Sequence, residues 1–283
     1  MLFRSGNVRV WEAATGKPVT SEMRHGDSVE AARYSPDGRK LATASLDGTA
    51  RIWDALTGEP LTPSLRHPAQ VYAIAFSPDG QKIATGGSDG SARIWDVNTG
   101  QASPLLMKHL HGVVNVCFSP SGKQLLTTSL DRTARVWDFE TGNPVTASLM
   151  HNGFVVAGAF SRDGSKVVTG SYDGTARVWD VATGEPLVMP FRHRQAIHDV
   201  AFSPDGRFVA TASRDGTAQL WDVPTLELPA AEIAALAQLY AGVKLGPVGN
   251  LEPLLPQERA GLLERNSHPS RLHGATSPVP NVR

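Results

Sequence analysis

The chain has 283 residues, with 27 Lys plus Arg against 27 Asp plus Glu, and 41% of its residues are hydrophobic. That composition suffices for a packed interior and excludes the charge-rich, weakly apolar class of chains that stay unfolded. A formal net charge of zero supplies no general positive field for gathering phosphates, so nucleic acid is not an expected partner.

The opening residues 1–6 hold no apolar stretch of signal-peptide length, and no run approaches the roughly 20 apolar residues a membrane helix needs. A membrane partner is therefore not expected, and the expected setting is cytoplasmic. The single cysteine, Cys117, sits in an apolar stretch and reads as a small core residue in a reducing compartment.

The first landmark along the chain is Trp11. Trp53, Trp95, Trp137, Trp179 and Trp221 follow at intervals of 42 residues, each succeeded by aspartate, whereas Glu12 follows Trp11. A fixed period of about 40–45 residues closed by Trp-Asp marks a radially stacked, four-stranded repeat. The segment before Trp11 matches only the end of one strand and the strand after it, because Met1 aligns with Thr43.

The unit ending at Trp53 illustrates the others. Residues 29–34 are β-prone and closed by Ser35-Pro36-Asp37-Gly38, where proline presets φ and glycine takes a positive φ. Residues 40–45 make the next strand, Leu46-Asp47-Gly48 turns again, and residues 49–53 make the third. Thr57-Gly58-Glu59-Pro60 then breaks the chain, and Leu61 to Leu65 reads as a fourth, outer strand where Pro60 and Pro63 cost little. The first turn returns at residues 77–80, 119–122, 161–164 and 203–206; the second returns as Asp89-Gly90, Asp131-Arg132, Asp173-Gly174 and Asp215-Gly216. Sheets apolar on both faces need a neighbour on each side, which radial stacking supplies.

These recurring turns, strands and Trp-Asp pairs resemble WD40 repeats over about residues 1–222, and phrases such as "DGTARVWD" are closest in style to bacterial WD-repeat proteins. Some of those carry a Ser/Thr protein kinase upstream. The resemblance implies an all-β propeller of five full units plus a partial N-terminal one. In it the strands of a blade run a, b, c, d, and the tryptophan closes strand c.

Counting back 28 residues from each of the last five tryptophans reaches His25, His67, His109, His151 and His193. Six residues back stand Asp47, Asp89, Asp131, Asp173 and Asp215; eight back stand Ser45, Ser129, Ser171 and Ser213, with Gly87 as the exception. Serine, histidine and aspartate together can activate a hydroxyl for hydrolysis. A catalytic trio, however, occurs once on a scaffold, whereas this one repeats at fixed offsets. The family resemblance implies a structural role instead, in which each His, Ser and Asp joins its Trp in a buried hydrogen-bonded tetrad. Gly87 removes one hydroxyl, which predicts a looser unit ending at Trp95. The family's glycine before each histidine is replaced here by Arg24, Arg66, Lys108, Met150 and Arg192.

No catalytic, cofactor-binding or metal-ligating residue is assigned. His109 and His111 are two metal-type ligands without a third, and the Asp-Gly turns lack the clustered acids of a calcium loop. Neither a GxxxxGK phosphate loop nor a kinase signature is present. Arg51, Arg93, Arg135 and Arg177 recur in strand c and read as a solvated or locally paired blade edge.

By resemblance, partners meet the face around the propeller's channel, at the third and fifth residues after each His and the residue before each turn Asp. Tyr72, Val114, Leu130, Phe154, Val156 and Tyr172 form an apolar crescent there, flanked by Glu30, His198 and Arg214. Aromatic anchors inside a polar rim are what protein interfaces favour. The alternative is that these side chains turn into inter-blade packing.

Strand arithmetic leaves the ring incomplete. Residues 19–23 could complete the last blade and close five blades, but the strand ending at Trp11 would then be left over. The expectation is part of a larger propeller with earlier blades upstream of Met1, whose uncovered end blades favour self-association. After residue 222 the repeat stops. Pro229 followed by residues 230–240 reads as a helix stopped by Gly242, with Ile233, Leu236, Leu239 and Tyr240 on one face, and residues 257–265 read as a second short helix. These place a short α-helical extension over 223–265 and a disordered tail over 266–283. The function expected is a non-catalytic scaffold for a protein or peptide. The alternatives are the regulatory portion of a larger bacterial kinase-type protein and, in third place, a propeller enzyme.

Overall fold

The computed structural model describes residues 6–223, 243–245 and 251–253. The chain divides into two units, the first holding Met1–Trp221 and the second Asp222–Ser277. In the second, Val243–Leu245 pairs antiparallel with Leu251–Pro253, a strand pair for which the sequence carried no signal. The helices expected over 230–240 and 257–265, and the disorder expected from 266, lie outside the described residues.

The first unit is an open propeller of antiparallel sheets. In the Trp53 blade, strands a (Val29–Tyr34), b (Lys40–Ser45), c (Thr49–Asp54) and d (Leu65–Arg66) pair in that order. Strand d is shorter and later than the sequence suggests. Proline removes donors on either side of it, so Pro60 makes only an isolated bridge to Trp53 before pairing resumes at Leu65. The Trp95, Trp137 and Trp179 blades repeat this four-strand order, and the Trp221 blade has strands a to c among the described residues. Among the described residues the Trp95 blade alone has a long outer strand, Ala102–Lys108.

Each strand a begins with a bulge: Val29 faces Ser45 while Ala31 faces Ala44, leaving Glu30 unpaired. The same shift leaves Tyr72, Val114, Val156 and His198 as the unpaired residues in the following blades. A bulge re-aims the side chain it carries. All five are residues assigned to the partner face.

The core lies between blades. Ala42, Ala44, Ala50 and Ile52 of one blade meet Val71, Ile74, Ile83 and Trp95 of the next, all buried. Burying each such aliphatic side chain is worth about 1.5–3 kcal/mol, so a blade is stable only with neighbours.

At the N-terminal end, Met23–Arg24 pairs with Asn7–Val8, and Pro18 bridges Trp11. Residues 19–23 therefore serve the first, partial blade and do not complete the last one, correcting the five-blade closure considered above. The reason is local: the chain after Trp11 turns back through a proline bridge as it does after Trp53, Trp137 and Trp179, so the nearest edge captures it. Among the described residues no strand joins the first blade to the last, and the arc is open. Leu220 is accordingly 42% exposed, whereas its counterparts Ile52, Val136 and Val178 are at most 1% exposed.

Candidate functional site

The tetrads are assembled by the d-to-a connection, which carries the histidine, and by strands b and c. In all five full blades the Trp indole N–H donates to a threonine hydroxyl at 2.7–2.8 Å: Thr43, Thr85, Thr127, Thr169 and Thr211. The same oxygen lies 2.7–2.8 Å from Nε2 of His25, His67, His109, His151 and His193. The linking hydroxyl is thus the threonine ten residues before each Trp, and the assignment of Ser45, Ser129, Ser171 and Ser213 to that role is corrected. Side chains alternate along strand b, so both Thr and Ser share the face, but only the Thr lies level with the indole. Ser45 Oγ donates to Asp27 O and accepts from Asp47 N, bracing the b–c turn; Ser129 does the same with His111 O and Asp131 N. Ser171 receives Asp173 N, and Ser213 receives Asp215 N.

The histidine's other nitrogen meets the turn aspartate. Nδ1 is 3.3, 2.9, 3.3 and 3.2 Å from the carboxylates of Asp47, Asp131, Asp173 and Asp215. Each carboxylate oxygen also accepts the backbone N–H of the residue after the histidine. Burial pushes the Asp131 carboxyl up, but hydrogen bonds from His109, Thr133 and Leu110 N outweigh it and hold the group well below the usual range. Burial lowers the His25 and His151 imidazoles despite their carboxylate partners. A neutral ring donating from Nδ1 to Asp and accepting the Thr hydroxyl at Nε2 satisfies every atom.

The Trp95 blade departs from this pattern for a different reason than the missing hydroxyl alone. Thr85 keeps the Trp95–His67 link intact, so Gly87 does not break it. What is lost is the aspartate: Asp89 bonds Ser91 and, at 3.4 Å, Arg93, and His67 Nδ1 is buried without a partner. Pro68 follows His67 and has no N–H to offer a carboxylate. The carboxylate has moved toward the space a side chain at 87 would fill, since a Cβ there would lie 2.6 Å from Asp89 Oδ1. Burial, reinforced by the Arg93 charge, lowers the His67 pKa to about 4. Arg51, Arg135 and Arg177 instead lie over the rings of Trp53, Trp137 and Trp179 at 5.7–6.0 Å. They are cation–π partners of their own blades, the locally paired form of the solvated or locally paired edge read from sequence.

The bulges, the d-to-a connections and the b–c turns share one edge of the propeller. Along it Tyr172 packs against Phe154 (6.0 Å between centroids) and His198 (5.4 Å). Phe154 and Tyr172 are each 45% exposed. Tyr72, Val114, Leu130, Val156 and Glu30 are half-buried, while His198 and Arg214 are exposed. Tyr72 and Leu130 both border Gly112, which joins the crescent's two halves. A groove of about 830 Å³ lies here, with Tyr72, Leu130 and Phe154 in its wall beside Leu110, Arg132 and Met150.

A family model described as the IFT122 first beta-propeller matches residues 54–235, well over half of the chain, and one described as the WD domain, G-beta repeat, matches residues 16–54. The chain belongs to the WD40 β-propeller family. A crystal structure of the computationally designed Ika8 protein is similar to this WD40 propeller at 28% identity, with a TM-score of 0.70 over 78% of this chain and 67% of that one. Among curated proteins, no match was found.

WD40 propellers are typically non-catalytic scaffolds that bind protein partners. In this one, each tetrad hydroxyl is buried and shared between Trp and His inside its own blade. Among the described residues, no three His, Cys, Asp or Glu side chains converge as a metal site, and no helix is long and apolar enough to cross a membrane. Among the groove residues that escaped the sequence reading of the face are Leu110, Arg132 and Met150. Their signal was available, because each replaces a smaller or oppositely natured residue at its position in the repeat.

Proposed function

We propose that this chain is a non-catalytic WD40 scaffold that holds a protein or peptide on the channel-side edge of its blades. The supporting observation is the run from half-buried Tyr72 and Leu130 along a groove to exposed Phe154, Tyr172 and His198, with Tyr72 and His198 carried on strand-a bulges. Exposed aromatics beside a polar rim match the anatomy of a protein interface. The test is capture from extract of the source cells with the intact chain, Phe154→Ala and Tyr172→Ala. The expected result is loss of captured partner with stability changed by less than about 1.5 kcal/mol. A loss of about 3–5 kcal/mol, the range for a buried aromatic, would reassign these side chains to packing.

A second reading, head-to-tail self-association, rests on the uncovered Leu220 face of the last blade. Sedimentation velocity over a wide concentration range tests it, and a monomer throughout, with Leu220→Ser sedimenting identically, would dismiss it.

A further inference from the structure

Three departures from the 42-residue repeat converge on one groove. Five residues before each Trp, four blades have glycine at positive φ (Gly48, Gly90, Gly174, Gly216), whereas the Trp137 blade has Arg132 at φ 70°. It is the one non-glycine residue with positive φ among the described residues. Before the tetrad histidine, four blades have Arg or Lys, but Met150 stands before His151 and is 64% exposed. After the histidine, where the other blades have Gly26, Pro68, Asn152 and Arg194, Leu110 stands 85% exposed.

Left-handed backbone strains any residue with a Cβ, and it persists where function requires the side chain. Nothing in the fold requires Arg132. It is exposed and enters no ion pair among the described residues, and its neighbour Asp131 is committed to His109 and Leu110 N. Leu110 and Met150 are equally without a packing role, and both line the groove that Arg132 borders, together with Leu130 and Phe154.

We infer that this groove takes a peptide segment whose bulky apolar side chain lies among Leu110, Met150 and Phe154 while a nearby Asp or Glu carboxylate pairs with the Arg132 guanidinium. This deepens the proposed partner face and rests on it. A lone guanidinium matches a singly charged carboxylate bidentately. No second Arg or Lys lines the groove, as a doubly charged phosphate would favour. Asn152 and His111 supply further polar contacts at the rim, and the only acidic wall residue, Asp131, is already occupied.

The experiment pans the full chain against a random phage-displayed peptide library and then measures the enriched peptides by fluorescence anisotropy against wild type, Arg132→Gly and Phe154→Ala. Arg132→Gly restores the glycine of every other blade, so its folding is safe. The expected result is enrichment of sequences pairing an apolar with an acidic residue, and binding weakened about tenfold or more by Arg132→Gly. Replacing the peptide's Glu by Gln should weaken wild-type binding similarly and add nothing in the variant. Enriched peptides without acids, or unchanged binding to Arg132→Gly, would overturn the subsite. If those peptides still lose affinity for Phe154→Ala, the broader face stands and only the subsite falls. Absence of any enriched peptide overturns both. Tighter binding when phosphoserine replaces Glu would overturn the carboxylate assignment.

Discussion

Removing the turn aspartate should have very different consequences in adjacent blades. Asp131 is 2% exposed in its side chain and accepts from His109 Nδ1 at 2.9 Å, Leu110 N at 3.0 Å, Thr133 N at 2.9 Å and the Thr133 hydroxyl at 2.6 Å. Asp131→Ala removes the 2.9 Å acceptor of the fully buried His109 imidazole and leaves it only the longer 3.2 Å contact to the Thr133 hydroxyl, which costs about 1–3 kcal/mol. The remaining donors lie nearer water and add about 1 kcal/mol each at most, for a total near 3–5 kcal/mol. Asp89 is 19% exposed and accepts from Ser91 and Arg93 but not from His67. Its loss strands no buried imidazole, because His67 Nδ1 already lacks a partner. Asp89→Ala should therefore cost about 1 kcal/mol. Urea unfolding followed by tryptophan fluorescence reads both as shifts in midpoint at constant slope. Equal losses for the two variants would refute the reasoning, because they would mean that the aspartate acts through turn geometry and not through the histidine.

Thr127→Val, nearly isosteric, removes the acceptor of the Trp137 indole and the donor to His109, and should cost about 2–4 kcal/mol. Ser129→Ala should cost about 1 kcal/mol, and a larger loss there, by the same unfolding assay, would restore the serine to the tetrad. The His67 imidazole, held down to about 4 by burial against an ordinary 6.5, is charged more readily in the unfolded chain. Its stabilising share is therefore complete above pH 6.5 and lost as pH falls through about 4, a change of roughly 3 kcal/mol. Denaturation midpoints measured down that range should fall less in His67→Gln than in wild type. The lowered His25 and His151 act in the same direction and remain in both proteins. Arg132→Gly, by relieving positive φ, should raise stability by about 0.5–1 kcal/mol in the same denaturation series, and a loss would show that Arg132 serves the fold.

The local rules carried the architecture. The 42-residue spacing, the Pro-Asp-Gly turns and the two-residue alternation set strand number, order and blade boundaries, because each depends on backbone preferences of neighbouring residues and on a period shared by every unit. The histidine and aspartate of each tetrad were legible for the same reason, since repetition marks what the frame needs. Tertiary structure decided what periodicity leaves degenerate. Thr43 and Ser45 stand two apart on one face of a strand, and only the height of the indole chooses between them. Pro68, Gly87 and Ser91 each look like tolerated variation in their own segment; together they go with the detachment of Asp89 from His67, because Gly87 leaves room for the carboxylate, Ser91 binds it and Pro68 has no N–H to draw it back. Val19–Met23 could serve either end of the arc by sequence alone, and the chain's reversal after Trp11 assigns it to the first blade. Leu110, Arg132 and Met150 stand in separate segments of the sequence, and the pairing of strands and turns at one edge of the Trp137 blade brings them together beside Tyr72 and Phe154 of its neighbours.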